Sequence, residues 1–450
     1  MITADSAAAA AAAGVSADRL GAAHVLEGSF VWQRDADISR AEVTVWLSRA
    51  SDGELLWSET LEGFFGEIPG LQGRVAAGVG RRLEAGARAP GRAVTDSQGA
   101  YEAYLEGIGR SAAAGEAEDL RSAVASFERA VLLDPGLHLA HTRQVHLQIA
   151  LAAAEPAGEA LAAARQALTA ARRIGDGDPA VRRAAADLEL AAGGDTAVVL
   201  EELNEALARL PGDSELLHHL ALIDRRQSRW DEAIERLTTA RRRDPLNLAL
   251  ATDLVRSLAW KRRFDEAAEQ ADALASLLPE ALEPALLRVD LSLRSRGASR
   301  EARAVLEALP ESVRSDPRWQ ERMLRLDLYE GDYESALGRL PELGLEETEA
   351  LIERAWIYRH MGRARRSAAS FEKARDLLDD RLKTTPGDPA LSARLGQAYA
   401  GTGGGRLGVR MGQRAVSQLP VTTDAVAGPE LVERLARIYV LTGDSEHALD

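Results

Sequence analysis

The chain has 450 residues, a formal net charge of −15, and a composition that is 46% hydrophobic but only 4% aromatic. This length is too great for one ordinary globular core, so we expect two or more domains or a repeat array. The acidic balance argues against non-specific binding to nucleic acid or anionic lipid, which requires clustered positive charge. The chain contains no cysteine, which excludes disulfides, Cys-ligated zinc and thiol catalysis.

The sequence contains no segment that is expected to cross a membrane. No apolar run approaches the roughly 20 residues that a spanning helix needs. The start, residues 1–20, has an alanine run but no basic n-region, so we do not expect a signal peptide. We therefore expect a cytoplasmic protein, unless the intact protein carries an upstream membrane span that places the repeats outside the cytoplasm.

The first predicted elements are three strands in which apolar and polar residues alternate. The second and third are separated by the turn Ser51-Asp52-Gly53, which is typical of a hairpin. The strands cover His24–Gln33, Ala41–Ala50 and Gly53–Gly63. A helix is predicted from about Ile68 to Gly86. We predict a small α+β domain of three strands and two helices over residues 1–87, followed by a linker over 88–97 that is rich in Gly, Ala and Pro.

The period becomes helical from about Gln98 onward. Prolines recur there at intervals of 34 residues, which is the signature of tetratricopeptide repeats. Each such repeat is a pair of helices that cannot bury its apolar face alone. We therefore predict a mostly α fold over 98–450, a tetratricopeptide-repeat α-solenoid with a right-handed superhelix. The prolines that mark the interval are Pro211, Pro245 and Pro279, and then Pro386 and Pro420.

Small and large residues recur in phase with this interval. Units that start at Ser214, Thr348, Pro389 and Pro429 place alanine, glycine, leucine or tyrosine where such repeats need them. We count nine or ten units. The register is degenerate over 137–213, where longer helices are expected, and the interval shortens to about 31 residues near Leu282 and Pro317, where we expect a kink. The last unit stops one turn into its second helix with no polar cap, which indicates a chain cut short at its C-terminus.

The segment with the three predicted strands resembles the second half of the TolB amino-terminal-like domain, which is also compared with the FlgO-like domain. The motifs that carry the likeness are "VLEGSF", "VTVWL", "DGELLWSETLEG" and "IPGLQGRVA", in that order over residues 25–76. The next segment, "DSQGAYEAYLEGIGR", looks like that family's transition into tetratricopeptide repeats.

This resemblance implies a regulatory function. Members of that family are usually the C-terminal portions of bacterial serine/threonine kinases, adenylate cyclases or winged-helix transcription regulators, in which the repeats serve as sensor or interaction modules. This chain lacks the family's initial "VAVLPF"-like strand and its helix, and no kinase, cyclase or winged-helix sequence precedes the strands. The resemblance therefore implies the regulatory part of such a protein, with any output activity outside this chain.

A glycine run in the repeats matches the pattern of a dinucleotide-binding loop. Gly403, Gly405 and Gly408 fit G-x-G-x-x-G, but such a loop must follow a strand and open a helix. Here the run follows the predicted first helix of a repeat, so we place it at the turn between two helices and expect no nucleotide site. Because glycine costs up to about 1 kcal/mol in a helix relative to alanine, we expect a weak, mobile second helix in which Gly408→Ala is neutral or stabilising.

No pattern of residues predicts a metal site, a cofactor or a catalytic centre. His138 and His141 are three residues apart and share a helix face, as metal ligands do. No third ligand follows at a suitable spacing, so we predict no metal site. With 70 acidic residues in the chain, no carboxylate pair is informative. We therefore predict a protein without enzymatic activity and without a cofactor.

The best candidate site is the concave groove formed by the first helices of the repeats. Side chains at positions 2, 5, 9, 12 and 13 of these helices are expected to point into it. Arginine and aromatic residues there predict a surface that binds carboxylate groups through forked donors and rigid rings. The alternative is that these positions form only solvated helix faces in an arginine-rich protein. The predicted groove residues are His218, Arg225, Arg226, Arg256, Trp260, Arg325, Tyr329, Trp356, Arg359 and His360.

Together these features predict a non-enzymatic scaffold for protein–protein interaction with a signalling or regulatory role. The expected partner is a peptide or protein with acidic or C-terminal carboxylate groups. Direct binding of nucleic acid is not expected, and homo-oligomers are not excluded. The alternative is the regulatory or sensor portion of a serine/threonine kinase, adenylate cyclase or transcription regulator whose output domain lies outside this chain.

Overall fold

The structure is a computed structural model, and it confirms the predicted fold class. It is mostly α-helical, with one small three-stranded sheet near the N-terminus. The chain divides into two compact units, one that ends at His219 and one that begins at Leu220. No helix in the described ranges is long and apolar enough to cross a membrane. The structure describes residues 22–34, 39–64, 68–83, 95, 97–113, 117–154, 157–278 and 281–449.

The sheet of the first unit is an antiparallel meander in the order β1-β2-β3. The three predicted strands are confirmed, and the turn before the third holds Gly53 at φ +71°, a left-handed conformation that favours glycine. The amide of Gly53 donates to the carbonyl of Arg49 at 2.9 Å and closes this turn. The strands are β1 His24–Arg34, β2 Ser39–Arg49 and β3 Leu55–Phe64.

One helix, α1 (Ile68–Arg82), packs on the sheet. Leu61 of β3 and Leu71 of α1 are buried against each other, because alternate residues of an amphipathic strand face the helix. Tyr101, in the next helix, packs onto the same cluster and joins the sheet to the first helical repeat. The other helix predicted for this domain and most of the predicted linker, 88–97, lie outside the described residues.

The rest of the first unit consists of paired helices. Within each pair the two helices contact each other along their length, and each pair contacts the next. Phe127 is fully buried against Gly107 in the first pair, where a larger residue than glycine would meet its ring. The pairs are α2 (Gln98–Ala113) with α3 (Ala117–Leu133), α4 (His138–Ala154) with α5 (Ala157–Gly175), and α6 (Pro179–Ala191) with α7 (Thr196–Arg209).

The second unit continues the same architecture from within α8 (Ser214–Arg226) and α9 (Trp230–Arg243). Six further helix pairs follow within the described residues. They are α10 (Leu248–Trp260) with α11 (Phe264–Leu277), α12 (Leu282–Arg296) with α13 (Ser299–Glu307), α14 (Pro317–Glu330) with α15 (Tyr333–Arg339), α16 (Glu347–His360) with α17 (Ala364–Thr384), α18 (Pro389–Gly401) with α19 (Gly405–Gln418), and α20 (Gly428–Thr442) with α21 (Ser445–Leu449).

Caps explain where the first helices begin. Asn247 precedes α10 and accepts hydrogen bonds from the amides of Ala249 and Leu250. Asp388 precedes α18 and accepts hydrogen bonds from the second and third amides of that helix. Such caps satisfy amides that have no partner inside a helix. The preceding Pro245 lies in the turn between repeats, where its missing N–H is tolerated. The shorter interval near Pro317 arises because the second helices α13 and α15 are short, and each is followed by a 3₁₀ turn.

Neighbouring pairs share their cores. A cluster that contains Ala355 of α16, Phe371 of α17 and Leu395 of α18 is almost completely buried. Since its members come from two consecutive repeats, neither repeat would keep this surface from water alone. Buried carboxylates add ties between helices: Asp327 of α14 accepts hydrogen bonds from Arg303 of α13 at 2.8 Å and from Arg339 of α15 at 2.7 Å.

The glycine run is a turn between helices, as the repeat pattern predicts. It begins at the end of α18, and Gly403 adopts φ +92° before α19 begins at Gly405. The expectation for Gly408 is wrong. A Cβ atom there would lie 2.5 Å from the carbonyl oxygen of Gly396 and 3.1 Å from the Cβ of Ala400. Glycine at this position lets the two helix backbones touch, and this contact outweighs its low helix propensity.

We predict that Gly408→Ala destabilises the second unit. The added methyl group must push α19 from α18, and overpacking of this kind costs about 1–3 kcal/mol. The matched control is Gly338→Ala in α15, where nothing lies within 4 Å of the added carbon. Replacing this helical glycine should raise the free energy of unfolding by as much as about 1 kcal/mol. Urea unfolding measures both, and a Gly408→Ala protein as stable as the parent would contradict this packing.

A candidate partner-binding face

Side chains from successive first helices of the second unit meet on one face. Arg322 of α14 makes a bidentate pair with Asp290 of α12, at 2.8 and 3.0 Å. Thr252 of α10 donates to Glu283 of α12 at 2.9 Å. Because these contacts skip the second helices, the first helices must lie side by side. We call the following side chains the first-helix face: Asp253, Arg256, Trp260, Asp290, Arg322, Arg325, Tyr329, Glu353, Trp356, His360, Arg394, Arg434 and Arg437.

Glutamates of α16 face arginines of α18 and α20. Arg394 of α18 lies 3.7 Å from Glu349. Arg437 of α20 also lies 3.7 Å from a carboxylate, that of Glu353. These separations exceed a hydrogen bond, so the charges neutralise one another without locking the side chains together. The C-terminal part of the first-helix face is therefore mixed in charge rather than basic.

Burial shifts the pKa values of two groups in this cluster in opposite directions. Loss of water raises the pKa of Glu353, and the nearby Arg437 only partly opposes this. Loss of water also lowers the pKa of Arg434, with Arg394 adding to the effect. In each case the environment disfavours the charged form. No carboxylate among the described residues lies within 4.0 Å of Arg434, so this arginine is the least neutralised cation of the cluster.

Two of the predicted groove residues are engaged by the chain itself. Arg225 is 6% exposed and donates to Asp253 of α10, so its guanidinium holds two helices together. Arg226 is exposed, and its Nε lies 3.8 Å from Asp424 in the loop before α20. Arg225 is therefore buried between helices, in contrast to the expectation that it points into a groove.

Two predicted arginines remain open to solvent. Arg256 of α10 is exposed and has no ion pair among the described residues. Arg325 of α14 donates to Glu321 one turn earlier at 2.7 Å, but its side chain is 54% exposed. An exposed pair of this kind contributes little to stability, so the guanidinium of Arg325 can exchange Glu321 for another carboxylate.

The predicted aromatic residues stack between repeats near the ends of the first helices. Trp260 of α10 stacks on Trp230 of α9 with ring centres 5.8 Å apart, and the guanidinium of Arg294 lies 5.9 Å above the same ring. His360 of α16 stacks on Tyr333 of α15 at 5.5 Å. These contacts still leave Trp260 44% exposed, so the aromatic residues both tie repeats together and present apolar surface.

The remaining predicted residues differ in their exposure. Tyr329 of α14 is 71% exposed and Arg359 of α16 is exposed. Trp356 of α16 is partly buried beside Phe371, and its Nε1 has no hydrogen-bond partner among the described residues. His218 belongs to the first unit, where it is half-buried and stacks on His219 at 6.5 Å. The structure thus places Arg325 close enough to Glu353 of α16 to act on its charge, and His218 belongs to the other unit.

Sequence reasoning missed the charged residues at position 6. Asp253, Arg322, Glu353, Arg394 and Arg434 all occupy this position, counted from Leu248, Pro317, Thr348, Pro389 and Pro429. The recurrence of charged residues at this position in five units was visible in the sequence. It would have identified position 6 as part of the first-helix face, because a core-facing position is seldom charged in one repeat after another.

The histidines of the first unit pair with aspartates of neighbouring helices. His138 Nε2 lies 3.3 Å from Asp178, and His146 Nε2 lies 3.2 Å from Asp187, which also faces His219 at 3.6 Å. Among the described residues no group of three or more His, Asp or Glu side chains could hold a metal ion. These histidine–aspartate pairs are therefore contacts between neighbouring helices.

No protein-family model matches the chain, and no curated protein matches it significantly. Among solved structures, it is similar to a tetratricopeptide repeat protein from Parabacteroides merdae, with 16% identity over 61% of this chain and 92% of that one and a TM-score of 0.35. PilW, a widely conserved type IV pilus biogenesis factor, has 14% identity over 50% of this chain and 97% of its own, with a TM-score of 0.42.

Human IFIT1, solved as a dimer with PPP-AAAA, has 14% identity over 77% of this chain and 78% of its own, with a TM-score of 0.42. With identities and TM-scores this low, no ligand of these proteins extends to this chain. The fold class, a tetratricopeptide-type repeat array, rests on the chain's own helix pairs and 34-residue interval.

We predict that the first unit loses stability as the pH falls below about 6.5. Burial lowers the pKa of His141 from its usual 6.5, and the charges of Arg173 and His138 lower it further, against hydrogen bonds to the Gln144 side chain and the Pro135 carbonyl. As the pH falls, the unfolded chain binds a proton at this histidine that the folded chain does not bind. The contribution of His141 to stability is therefore fully present above the unfolded pKa and is lost as the pH is lowered.

The comparison of His141→Leu with the parent isolates this contribution. The variant should lose less stability between pH 7.5 and pH 5.5, measured as the change in urea midpoint. His24→Gln, on an exposed strand residue, is the control and should keep the parent's pH dependence. Identical pH dependence in His141→Leu and the parent would refute the assignment.

Proposed function

We propose that this protein is a non-enzymatic interaction scaffold that binds an extended peptide or protein segment along the first-helix face. The observation that carries the proposal is the combination of exposed arginines and exposed rings on the first helices of two repeats that are separated by one other repeat. Arg256 and Trp260 lie on α10, and Arg325 and Tyr329 lie on α14. Arginine supplies forked donors for carboxylates, and aromatic rings supply contact area at low entropic cost.

The mixed charge of the face refines the chemistry of the proposed partner. Glu349 and Glu353 lie beside Arg394, Arg434 and Arg437, so a uniformly acidic partner would meet repulsion at α16. We therefore propose a segment with separate acidic residues rather than an acidic run.

A regulatory role is part of this proposal, and its support is the resemblance of about residues 14–135 to the TolB amino-terminal-like domain and its transition into repeats. The motifs of that resemblance coincide with the three strands and α1. In this view the repeats select a partner for an output domain in another part of the protein, such as a kinase, a cyclase or a transcription regulator. The proposed location is the cytoplasm.

We predict that charge reversal at Arg256 and Arg325 abolishes partner capture without unfolding the array. Affinity purification with mass spectrometry compares the parent with the double variant Arg256→Glu/Arg325→Glu. Proteins that need the first-helix face should fall at least tenfold in abundance, since two exposed guanidinium groups become carboxylates.

The matched control is Arg406→Glu/Arg410→Glu. Both of these arginines are exposed on the second helix α19 and have no ion pair among the described residues. This variant carries the same change in net charge, so it should capture partners as the parent does. Equal capture by the parent and by the Arg256/Arg325 variant, with unchanged thermal midpoints, would exclude the first-helix face as the binding surface.

A further inference from the structure

The loop before α20 contacts the end of α8, far away in the sequence. The amide of Ala425 donates to the carbonyl of Arg226 at 2.8 Å. Beside it, Asp424 lies 3.8 Å from the Nε of Arg226. The first and the next-to-last repeats of the second unit are thus joined directly by main chain and side chain. We call residues 419–427 the strap.

The strap is ordered by its own hydrogen bonds. Thr423 donates its amide to the carbonyl of Pro420 at 2.8 Å, and Gly428 donates to the carbonyl of Asp424 at 2.9 Å. The carboxylate of Asp424 also accepts the amides of Val426 and Ala427, each at 2.9 Å. These bonds hold the loop in one shape and leave the Ala425 amide to α8. Ala425 itself is only 4% exposed, so the contact is closely packed.

We propose that the strap is an autoinhibitory contact that limits access to the first-helix face. Its Asp424 carboxylate lies 3.8 Å from Arg226, a predicted groove arginine one repeat before the first-helix face, and its Ala425 amide is donated to α8 as the main chain of an extended partner would be. A partner of the chemistry proposed above must therefore compete with the strap. This inference rests on the proposed function for its biological meaning, but the closure itself can be tested without a partner.

The charge cluster near the strap fits a closed arrangement. Arg434 and Arg437 lie on α20, the helix that the strap precedes, and Arg437 reaches across α18 to Glu353 of α16. Glu353 and Arg434 have lost much of their water, as the directions of their pKa shifts indicate. Because the strap leads directly into α20, the exposure of Arg434 on that helix can report whether the strap is open.

The chain offers a variant that weakens the strap without disturbing its turn. Asp424→Asn removes the charge that faces Arg226 but keeps an oxygen that can accept the amides of Val426 and Ala427. Arg226→Gln removes the same ion pair from the other side. Ala425→Pro removes the donor of the main-chain bond. All three should open the same contact, although they alter different residues.

Because the chain has no cysteine, access to the face can be measured with a single introduced thiol. We take Arg434→Cys as the reporter and measure its rate of modification by a maleimide coupled to a 5 kDa polyethylene glycol. Arg410→Cys, on the exposed side of α19, is the matched control reporter. In an Asp424→Asn background the rate at position 434 should rise three- to tenfold, and the rate at position 410 should not change.

Several outcomes would overturn the proposal. One is an unchanged rate at position 434 in all three strap variants. Another is an equal rise at positions 434 and 410, which would mean general loosening of the array. If Asp424→Asn strongly lowers the thermal midpoint, the modification rate in the Arg226→Gln variant becomes the deciding measurement. The Arg226 side chain is exposed and takes no part in the turn. None of these readouts uses a partner, so the strap can fail while partner capture at Arg256 and Arg325 succeeds, and the reverse.

Discussion

The close contact between the two helices of each repeat is the constraint on which the rest of this structure depends. In the α18–α19 pair the backbones touch at Gly396 and Gly408, and in earlier pairs buried alanines such as Ala355 occupy the contact. Close pairing leaves one apolar side of each pair uncovered, and only the next repeat can cover it. Within the second unit the first helices are therefore brought side by side, and side chains of neighbouring first helices meet, as in the pair of Arg322 with Asp290.

Charged residues make these contacts specific. Much of the arginine content serves as ties between helices: Arg303 and Arg339 bind the buried Asp327, and Arg322 binds Asp290 through two hydrogen bonds. Bidentate pairs of this kind fix geometry as well as charge. An arginine count therefore overstates how basic the available surface is. A small set of exposed guanidinium groups among glutamates remains available, and we propose that it selects a partner by its pattern of charge rather than by its total charge.

The sequence was sufficient for the elements whose signal is periodic. The alternation of β1 to β3, the turn at Gly53 and the starts of α8, α10 and α18 all follow from side-chain period, capping residues and prolines, which act locally. The contacts of individual side chains were harder to predict. Arg225 is buried and donates to Asp253 of α10, the next first helix, and no local pattern in α8 reveals that.

Gly408 shows the same limitation of prediction from local sequence. Helix propensity treats a glycine as a local cost, whereas here the carbonyl of Gly396 occupies the space of a side chain. Trp230 and Trp260 likewise stack across repeats. The repeat interval predicts this contact only when the start of α9 is compared with the end of α10. The strap contact between Arg226 and Ala425 had no sequence signal, because it depends on how the whole second unit folds.

The central claim is that the first helices, and not the second helices, form the surface that receives a partner. Hydrogen exchange of the full chain with and without a captured partner tests it most directly, since protected amides report which elements are covered. Our account predicts added protection in α10, α14 and α16, together with faster exchange of the Ala425 amide as the strap is released. Protection confined to the second helices α11, α13 and α17, with the Ala425 amide unchanged, would contradict it.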